Sequence, residues 1–332
     1  MSAGRPAALG VGLFPTEPVP AMVELARLAE ALGFGHVWIG DSHLIWREAY
    51  VTLTAAALAT ERVVLGTGVT NLVTRDPAVV ASSFATLHEA RPGRVILGLG
   101  LGDSAVETMG GTPSRLAALE AGIGRIRRLL AGEPVETGTG SGTMRLKHAV
   151  GDAVPVYVAG SGPGILQLAG RVADGAIVLV GVDPGRVRSA VAAVRAGARA
   201  AGRDPEGVEV VLWVPCAVGE PAEARAAVKA HVARAVNRPL PFELEAEERR
   251  VVGEIRRAYD YVQHMDPHAA QARVVPDWLV DRFAIAGEPE ACRAAVERLA
   301  ATGVRQLAIV PHAAGAGSRA ETMRAFAAAV RD

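Results

Sequence analysis

The sequence predicts an α/β fold, a (β/α)8 TIM barrel with a helical insertion near the barrel mouth, and three observations predict it. Apolar, β-branched runs alternate along the chain with segments whose apolar residues repeat at helical spacing. Two of these runs, VVLGTGVTN and RVILGLGLGD within 63–110, each stop at a Gly-rich turn and lead into a helix-like stretch. Eight such runs can be counted, and right-handed strand–helix crossovers repeated eight times close naturally into a barrel. An open, doubly wound sheet is the competing arrangement. The chain has 332 residues, half of them apolar, and is expected to form one domain over 1–332 that contains the insertion 238–276.

The elements follow in order. Ala8–Phe14 reads as a first buried strand, with Pro15–Pro20 as the loop behind it. From Ala21 to Leu32 the apolar Met22, Leu25, Ala26, Ala29 and Leu32 recur at helical spacing, and Gly33 can take the left-handed cap that ends the helix. His36–Gly40 is the next strand and delivers Asp41, Ser42 and His43 to its carboxyl end; Glu48–Thr60 is the helix after it. The two central units follow, with turns at Gly66–Asn71 and Gly98–Asp103. Pro113–Ala131 is helical, and Arg125, Arg127 and Arg128 near its end suit the helix dipole. Gly132–Gly151, rich in Gly and Thr, reads as a loop or hairpin. Pro155–Ala159 is a strand, followed by GSGPG and a helix over Ile165–Ala173. Gly175–Val180, Pro184–Ala201, Val208–Val214 and Pro221–Asn237 continue the alternation. Arg238–Pro276 breaks it, being charged, poor in strand formers, and bearing Tyr259, Tyr261, His264 and His268. It reads as a helical excursion over the barrel mouth. Glu288–Ala301 then forms a helix, Gln306–Val310 a strand, and Ser318–Arg331 the closing helix.

Composition excludes several classes of function. Lys and Arg number 35, as do Asp and Glu, so the formal charge is zero and nothing favours nucleic acid or an anionic membrane. No apolar run approaches the ~18 residues of a membrane span, and MSAGRPAALG lacks a signal-peptide core. A soluble, cytoplasmic protein is expected. Cys216 and Cys292 lack CxxC spacing, which argues against a disulfide scaffold or a zinc site. No metal site is expected, since neither HExxH nor a histidine pair at ligand spacing occurs; His264 and His268 read as polar surface. GxSxG and Walker motifs are absent, and GLGLGD lacks the third glycine of a dinucleotide fingerprint. Arg186, Arg188, Arg195 and Arg199 read as solvated helix faces.

Ligands of α/β barrels and open α/β sheets bind at the carboxyl ends of the strands. That rim gathers Asp41, Ser42, His43 and Trp46, then Thr67–Asn71, then Gly100–Ser104 with Glu107, and finally Gly160–Gly164. Taken singly, Asp41 reads as a cap or ion-pair partner and His43 as a packed or surface residue; sharing a rim with three glycine turns marks both as candidates. In GSGPG the glycines let backbone approach a ligand, and Pro163 can open a helix whose free N–H groups favour a phosphate. The alternative is a plain turn capped by Ser161.

Five stretches then carry a family resemblance: ELARLAEALGFGHVWIGDS, LGTGVTN with TRDPAVVASSFATL, GRVILGLGLGDSAVETMG, PVYVAGSGPGILQLAGRVADGAIVLV, and VDRFAIAGEPEACRAAVERLAATGVRQLAI. In this order they cover most of the chain outside Arg238–Pro276. The sequence resembles the bacterial luciferase-like monooxygenase superfamily, and within it the branch using the deazaflavin coenzyme F420, of the methylenetetrahydromethanopterin reductase type. The resemblance implies a barrel, often a homodimer, with the deazaflavin ring in its mouth. It implies Asp41 near the reactive face of the ring, with Asp41 and His43 as catalytic candidates. Gly68-Val69 falls where the family forms a non-prolyl cis peptide in a bulge that props the ring. Thr70 and Asn71 would then face the cofactor, with Ser42 and Gly100 nearby, and Gly160, Ser161, Gly162 and Pro163 match the phosphate turn. Two departures stand out: Ser42 occupies a position where many relatives have His, and Phe14 replaces a first-strand glutamate of the methanogen reductases. Asp103 and Glu107 remain as proton-donor candidates. The implied function is hydride transfer between F420 and a small organic molecule, under a lid formed by 238–276. The alternatives are an FMN-dependent monooxygenase using O2, with a separate flavin or F420 reductase as partner, and a non-catalytic member that only binds its ligand.

Overall fold

In the computed structural model, which describes residues 8–136 and 142–331, the alternating runs become parallel strands that close into a ring. The first half comprises β1 (Ala8–Leu13), α1 (Val19–Ala31), β2 (His36–Ile39), α2 (Ala49–Ala59), β3 (Val64–Thr67), the two-residue β4 (Thr70–Asn71), α3 (Pro77–Ala90) and β5 (Val95–Gly100). A short α4 (Ser104–Glu107), α5 (Leu116–Leu130) and the antiparallel pair β6 (Val135–Glu136) and β7 (Thr143–Met144) lead to β8 (Val156–Gly160). Then come α6 (Pro163–Val172), β9 (Gly175–Val178), α7 (Pro184–Ala200), β10 (Glu209–Val218) and α8 (Pro221–Val236). The chain ends through α9 (Ala246–Ala258), α10 (Ala270–Arg273), α11 (Asp277–Phe283), β11 (Ile285–Gly287), α12 (Pro289–Ala300), β12 (Gln306–Pro311) and α13 (Arg319–Arg331).

The barrel strands neighbour one another in the order β10, β12, β1, β2, β3, β5, β8, β9, and β9 pairs back to β10, all in parallel. This closed ring of eight is the barrel expected from the sequence, and closure rules out the open sheet. Side-chain alternation divides two cores. In β2, Trp38 turns into the barrel with Ile96, Tyr157, Ile177, Val211 and Trp213, while Val37 and Ile39 face the surrounding helices. The Trp38 indole N–H reaches Gln306 Oε1 at 2.9 Å, so the buried ring leaves no unpaired donor.

The helices begin where their caps dictate. Pro77, Pro163, Pro184, Pro221 and Pro289 each occupy a first helical position, where the missing N–H breaks no bond. Asp76 accepts from the Ala78 N–H at 2.7 Å and Asp183 from the Arg186 N–H at 2.9 Å, capping α3 and α7. No helix among the described residues is long and apolar enough to cross a membrane.

Several boundaries depart from the sequence reading. Gly132–Gly151 is no departure, since it holds the antiparallel pair β6–β7 expected there; residues 137–141 lie outside the described residues. The strand expected over Val208–Val214 runs on to Val218, because after β9 leaves its flank β11 takes that side, pairing Cys216 with Ile285. Both α11 and β11 were absent from the sequence reading; seven and three residues are too short to display a period. Arg186 is no solvated residue: its guanidinium donates to both oxygens of the buried Glu248 at 2.8 Å, fastening α9 to α7. The segment 238–276 otherwise packs on α8, where Val228, Val232 and Val236 meet Val251, Val252 and Ile255.

Helices α6 and α7 approach closely through Gly170 and Gly197. A Cβ on Gly170 would overlap the Val194 carbonyl oxygen, and one on Gly197 the Gln167 carbonyl oxygen. Backbone cannot yield as a flexible side chain can, so Gly170→Ala is expected to destabilise the protein by about 1–3 kcal/mol. A urea midpoint equal to that of the unaltered protein would show that the helices separate without cost.

Candidate active site

The carboxyl ends of the strands enclose a cavity of about 360 Å³. Its floor and walls come from Phe14 after β1, Ile177 in β9, Trp213 in β10, and Gly68–Asn71 around β4. Gly100–Ala105 after β5 and Gly160–Ile165 at the start of α6 complete one side; α8 and the 238–276 segment cover the other.

The Gly68–Val69 peptide is cis, the isomer the resemblance implied. Gly68 has no room for a side chain: a Cβ there would meet the Trp213 ring and Trp38 Cβ. Beyond it the Thr70 hydroxyl donates to Asp41 Oδ2 at 2.8 Å. Arg75 binds both Asp41 oxygens and also Glu48, the N-cap of α2, while stacking over the Tyr50 ring at 4.4 Å. Burial disfavours the Arg75 charge, yet Asp41, Tyr50 and Glu48 outweigh it, so its pKa is raised. Tyr50, buried in the same cluster, is pushed up to about 12.

The candidates from the sequence therefore separate into groups. Gly68, Val69, Thr70, Asn71, Gly100, Gly160, Ser161, Gly162 and Pro163 all line the cavity. Asp41 reaches it through backbone only, since its side chain is fully buried against Arg75. Ser42 does not reach it: completely buried, it donates to Ser104 Oγ at 2.8 Å behind the rim. His43 stands outside as well, its Nδ1 3.8 Å from Asp41 and its other nitrogen on the Met109 sulfur. Asn71 Oδ1 accepts from the Val73 and Thr74 N–H groups at 3.0 and 2.9 Å, shaping the loop.

At GSGPG the helix cap is Gly162, with no side chain capping α6. Ser161 instead donates to the Pro239 carbonyl at 2.7 Å, which seats the 238–276 segment on the turn. The first-turn N–H groups of Gly164 and Ile165 have no backbone acceptor among the described residues, leaving an open anion-binding end. Arg234 and Arg238 line the cavity and share the single carboxylate of Asp103. Burial lowers the pKa of both arginines, and the shared carboxylate leaves a surplus of positive charge beside the turn.

The remaining wall is aromatic and neutral. Phe14 stacks on Trp46 with ring centres 4.3 Å apart, and His231 lies 5.6 Å from Phe14. His264 is not the polar surface residue its sequence setting suggests: it is 6% exposed and lines the cavity, because the 238–276 segment folds it over the barrel mouth. Burial, reinforced by Arg234 and Arg238, holds its pKa near 3, so the ring is neutral, and its Nδ1 shares a hydrogen bond with the Tyr259 hydroxyl at 2.7 Å. Met265 beside it takes a left-handed backbone, φ 67°, uncommon for a side chain of its size. His231, Arg234 and Arg238 escaped the sequence reading because the helix PAEARAAVKAHVARAV offers cationic and apolar positions on several faces. Only the placement of α8 over the mouth selects among them.

Comparison with known proteins agrees with this architecture. Residues 3–306 match the luciferase-like monooxygenase family model. A 5,10-methylenetetrahydromethanopterin reductase of Methanolobus tindarius is 36% identical over 311 residues, covering 90% of this chain and 92% of that protein. An F420-dependent hydroxymycolic acid dehydrogenase of Mycobacterium tuberculosis is 36% identical over 263 residues, covering 73% of this chain and 72% of that one. A solved F420-dependent secondary alcohol dehydrogenase, in complex with an F420-acetone adduct, superposes with a TM-score of 0.79 at 24% identity, covering 98% and 99% of the two chains.

The neutral histidines carry a pH signature. Folding holds His264 near pKa 3 and His312 near 4, whereas an unfolded chain takes up these protons near 6.5. Below about pH 6.5 the unfolded state therefore binds more protons, and stability is lost as pH falls toward 4. His264→Gln, which removes one such site, is expected to lose roughly 1–2 kcal/mol less than the unaltered protein between pH 7 and 5. Parallel losses in urea melts of the two proteins would mean that His264 is protonated in the folded state.

Proposed function

This chain belongs to the luciferase-like monooxygenase family, and from that premise we propose that it is an oxidoreductase transferring hydride between coenzyme F420 and an organic substrate. The observation that carries the reading is the pairing, across one apolar cavity, of the Val69 and Trp213 wall with the uncapped amino end of α6. A flat ring joined to an anionic tail needs both ends. F420-dependent enzymes among the relatives support the deazaflavin over FMN. So does the surplus charge of Arg234 and Arg238 next to the phosphate turn, which suits a tail carrying anions beyond one phosphate.

In this reading Val69 and Trp213 face the ring, Gly68 admits it, and Gly162, Gly164 and Ile165 hold the phosphate through backbone. Bound there, the deazaflavin supplies a two-electron hydride carrier. The protein's own part is to fix donor and acceptor carbons at about 3–3.5 Å and to exclude water. Asp41 acts by holding Arg75 and Thr70, and so the rim, in place. The segment 238–276, seated by Ser161 and Pro239, forms the lid that selects the substrate.

A titration of the apo-protein with oxidised F420 and, separately, FMN tests this. F420 alone is expected to bind tightly, and Arg238→Gln to weaken it about tenfold. Preference for FMN would transfer the chain to oxygen-dependent chemistry, with a separate flavin reductase as partner; failure of both would leave the cavity without a flavin role.

The proposed partner beyond small molecules is a second copy of the chain. Helix α2, AYVTLTAAALA, is apolar all round, as a helix buried on both sides should be. Yet its Val51 and Leu58 are exposed beside Val79 of α3 and Val73. The protein is expected to elute from gel filtration as a dimer and the double variant Val51→Glu, Leu58→Glu as a monomer; a monomeric unaltered protein at micromolar concentration would count against this face.

A further inference from the structure

One wall of the cavity carries a histidine, His231, backed by a second, His312, and nothing above gives the pair a task in the site. His231 lies on α8, 2% exposed, with its ring in the cavity wall near Phe14 and Trp213. Its Nδ1 is 3.1 Å from Nε2 of His312, which stands one residue beyond β12. His312 is a fixed support: its N–H donates to the Cys216 carbonyl at 2.8 Å, and its own carbonyl accepts from the Thr322 hydroxyl at 2.7 Å. These bonds, to β10 and α13 at the end of β12, fix the His312 backbone from which the imidazole extends. The other nitrogen of His231, Nε2, has no protein partner among the described residues. It is the ring atom left to meet whatever enters the cavity.

The electrostatic surroundings of the pair favour neutral rings. Burial acts first on His231, and His312, Arg234 on the same helix and His264 from the 238–276 segment all oppose a proton on it. Burial alone holds His312 near 4. The Asp103 carboxylate, which lines the same cavity, is engaged by Arg234 and Arg238. A neutral imidazole with an N–H directed into a dry site is a strong hydrogen-bond donor and gives up no solvated charge when its partner becomes negative.

Resting on the hydride-transfer reading, we propose that His231 is the catalytic residue that polarises and protonates the carbonyl oxygen of a largely apolar ketone or aldehyde, with His312 as its positioning residue and proton relay. The tautomer required is His312 Nε2–H donating to His231 Nδ1, which leaves Nε2–H of His231 for the substrate. The deazaflavin, when bound in its reduced form, would supply the hydride for the new C–H bond at the carbonyl carbon and be oxidised, the C=O π pair moving to oxygen. That oxygen takes the proton from His231 Nε2, His231 Nδ1 takes the proton from His312 Nε2, and His312 regains one from water at Nδ1. The sum is one hydride and one proton added across the carbonyl, giving the alcohol. The apolar wall of Phe14, Trp46, Ile177 and Leu179 suits a substrate without charge of its own.

The test is a 15N spectrum of histidine-labelled protein, with signals assigned from His231→Phe and His312→Phe, recorded as apo-protein, with cyclohexanone alone as the probe, and with oxidised F420 plus cyclohexanone. His231 is expected as the neutral Nε2–H tautomer from pH 8 down to 5, with its Nε2 signal moving when cyclohexanone is added. His312→Phe should scramble that tautomer. His231→Phe is expected to lower kcat for carbonyl reduction about a hundredfold while F420 affinity is kept, and His231→Gln, which restores an N–H, to recover part of the loss. A bare Nε2 on His231, titration near pH 6.5, or no response to cyclohexanone would overturn the assignment. Failure of F420 to quench on mixing would refute the cofactor reading alone, because the tautomer and its response are also read in the apo-protein.

Discussion

One guanidinium holds the rim together. Arg75 joins the end of β2 through Asp41, the start of α2 through Glu48, and the ring of Tyr50, and Thr70 completes the contact at Asp41. The Asp41 side chain is wholly buried and Arg75 nearly so. Loss of either partner would leave a buried charge without its counter-ion, which costs more than the pair contributes by existing. The consequence is positional: Thr70 follows the Gly68–Val69 bulge by a single residue, so the shape of the cavity wall is tied to an ion pair on its far side. An aspartate in this place serves the site without facing it.

The same logic explains what could be read from the sequence. Strand–helix alternation, and with it the barrel, is written in apolar period and in proline and glycine punctuation, both local signals. The glycine turns belong to this class, and Gly68, Gly100, Gly160 and Gly162 all reach the cavity. What escaped was orientation. Ser42 and His43 follow Asp41 directly, yet one turns behind the rim to Ser104 and the other outward to Met109. His231, Arg238 and His264 lie far in sequence from the strand ends they face, and only packing of α8 and 238–276 over the mouth brings them there. A buried arginine or histidine and a solvated one look alike in a sequence, as Arg186 also shows by pairing with Glu248.

Charge is segregated within the cavity. Arg234, Arg238 and the open end of α6 make one side positive, whereas Phe14, Trp46, Trp213 and the two neutral histidines His231 and His264 make the other largely apolar. Because Ser161 of the phosphate turn is bonded to Pro239 of the covering segment, the two sides are mechanically joined. In the proposed reading, a ligand that orders the turn would also order the segment bonded to it, and this hydrogen bond would couple cofactor occupancy to substrate enclosure.

Arg234 connects both sides. It opposes a proton on His231 and so helps keep that ring neutral. In the proposed reduction the substrate oxygen begins uncharged and gains negative charge as hydride arrives. A fixed cation nearby attracts that oxygen more strongly in the transition state than in the ground state, and only such differential interactions raise the rate. The same positive field therefore acts twice, removing charge from the imidazole before reaction and stabilising charge on oxygen during it. An arginine engaged by Asp103 provides this without moving, which is why its ion pair belongs to the chemistry of the site as much as to its architecture.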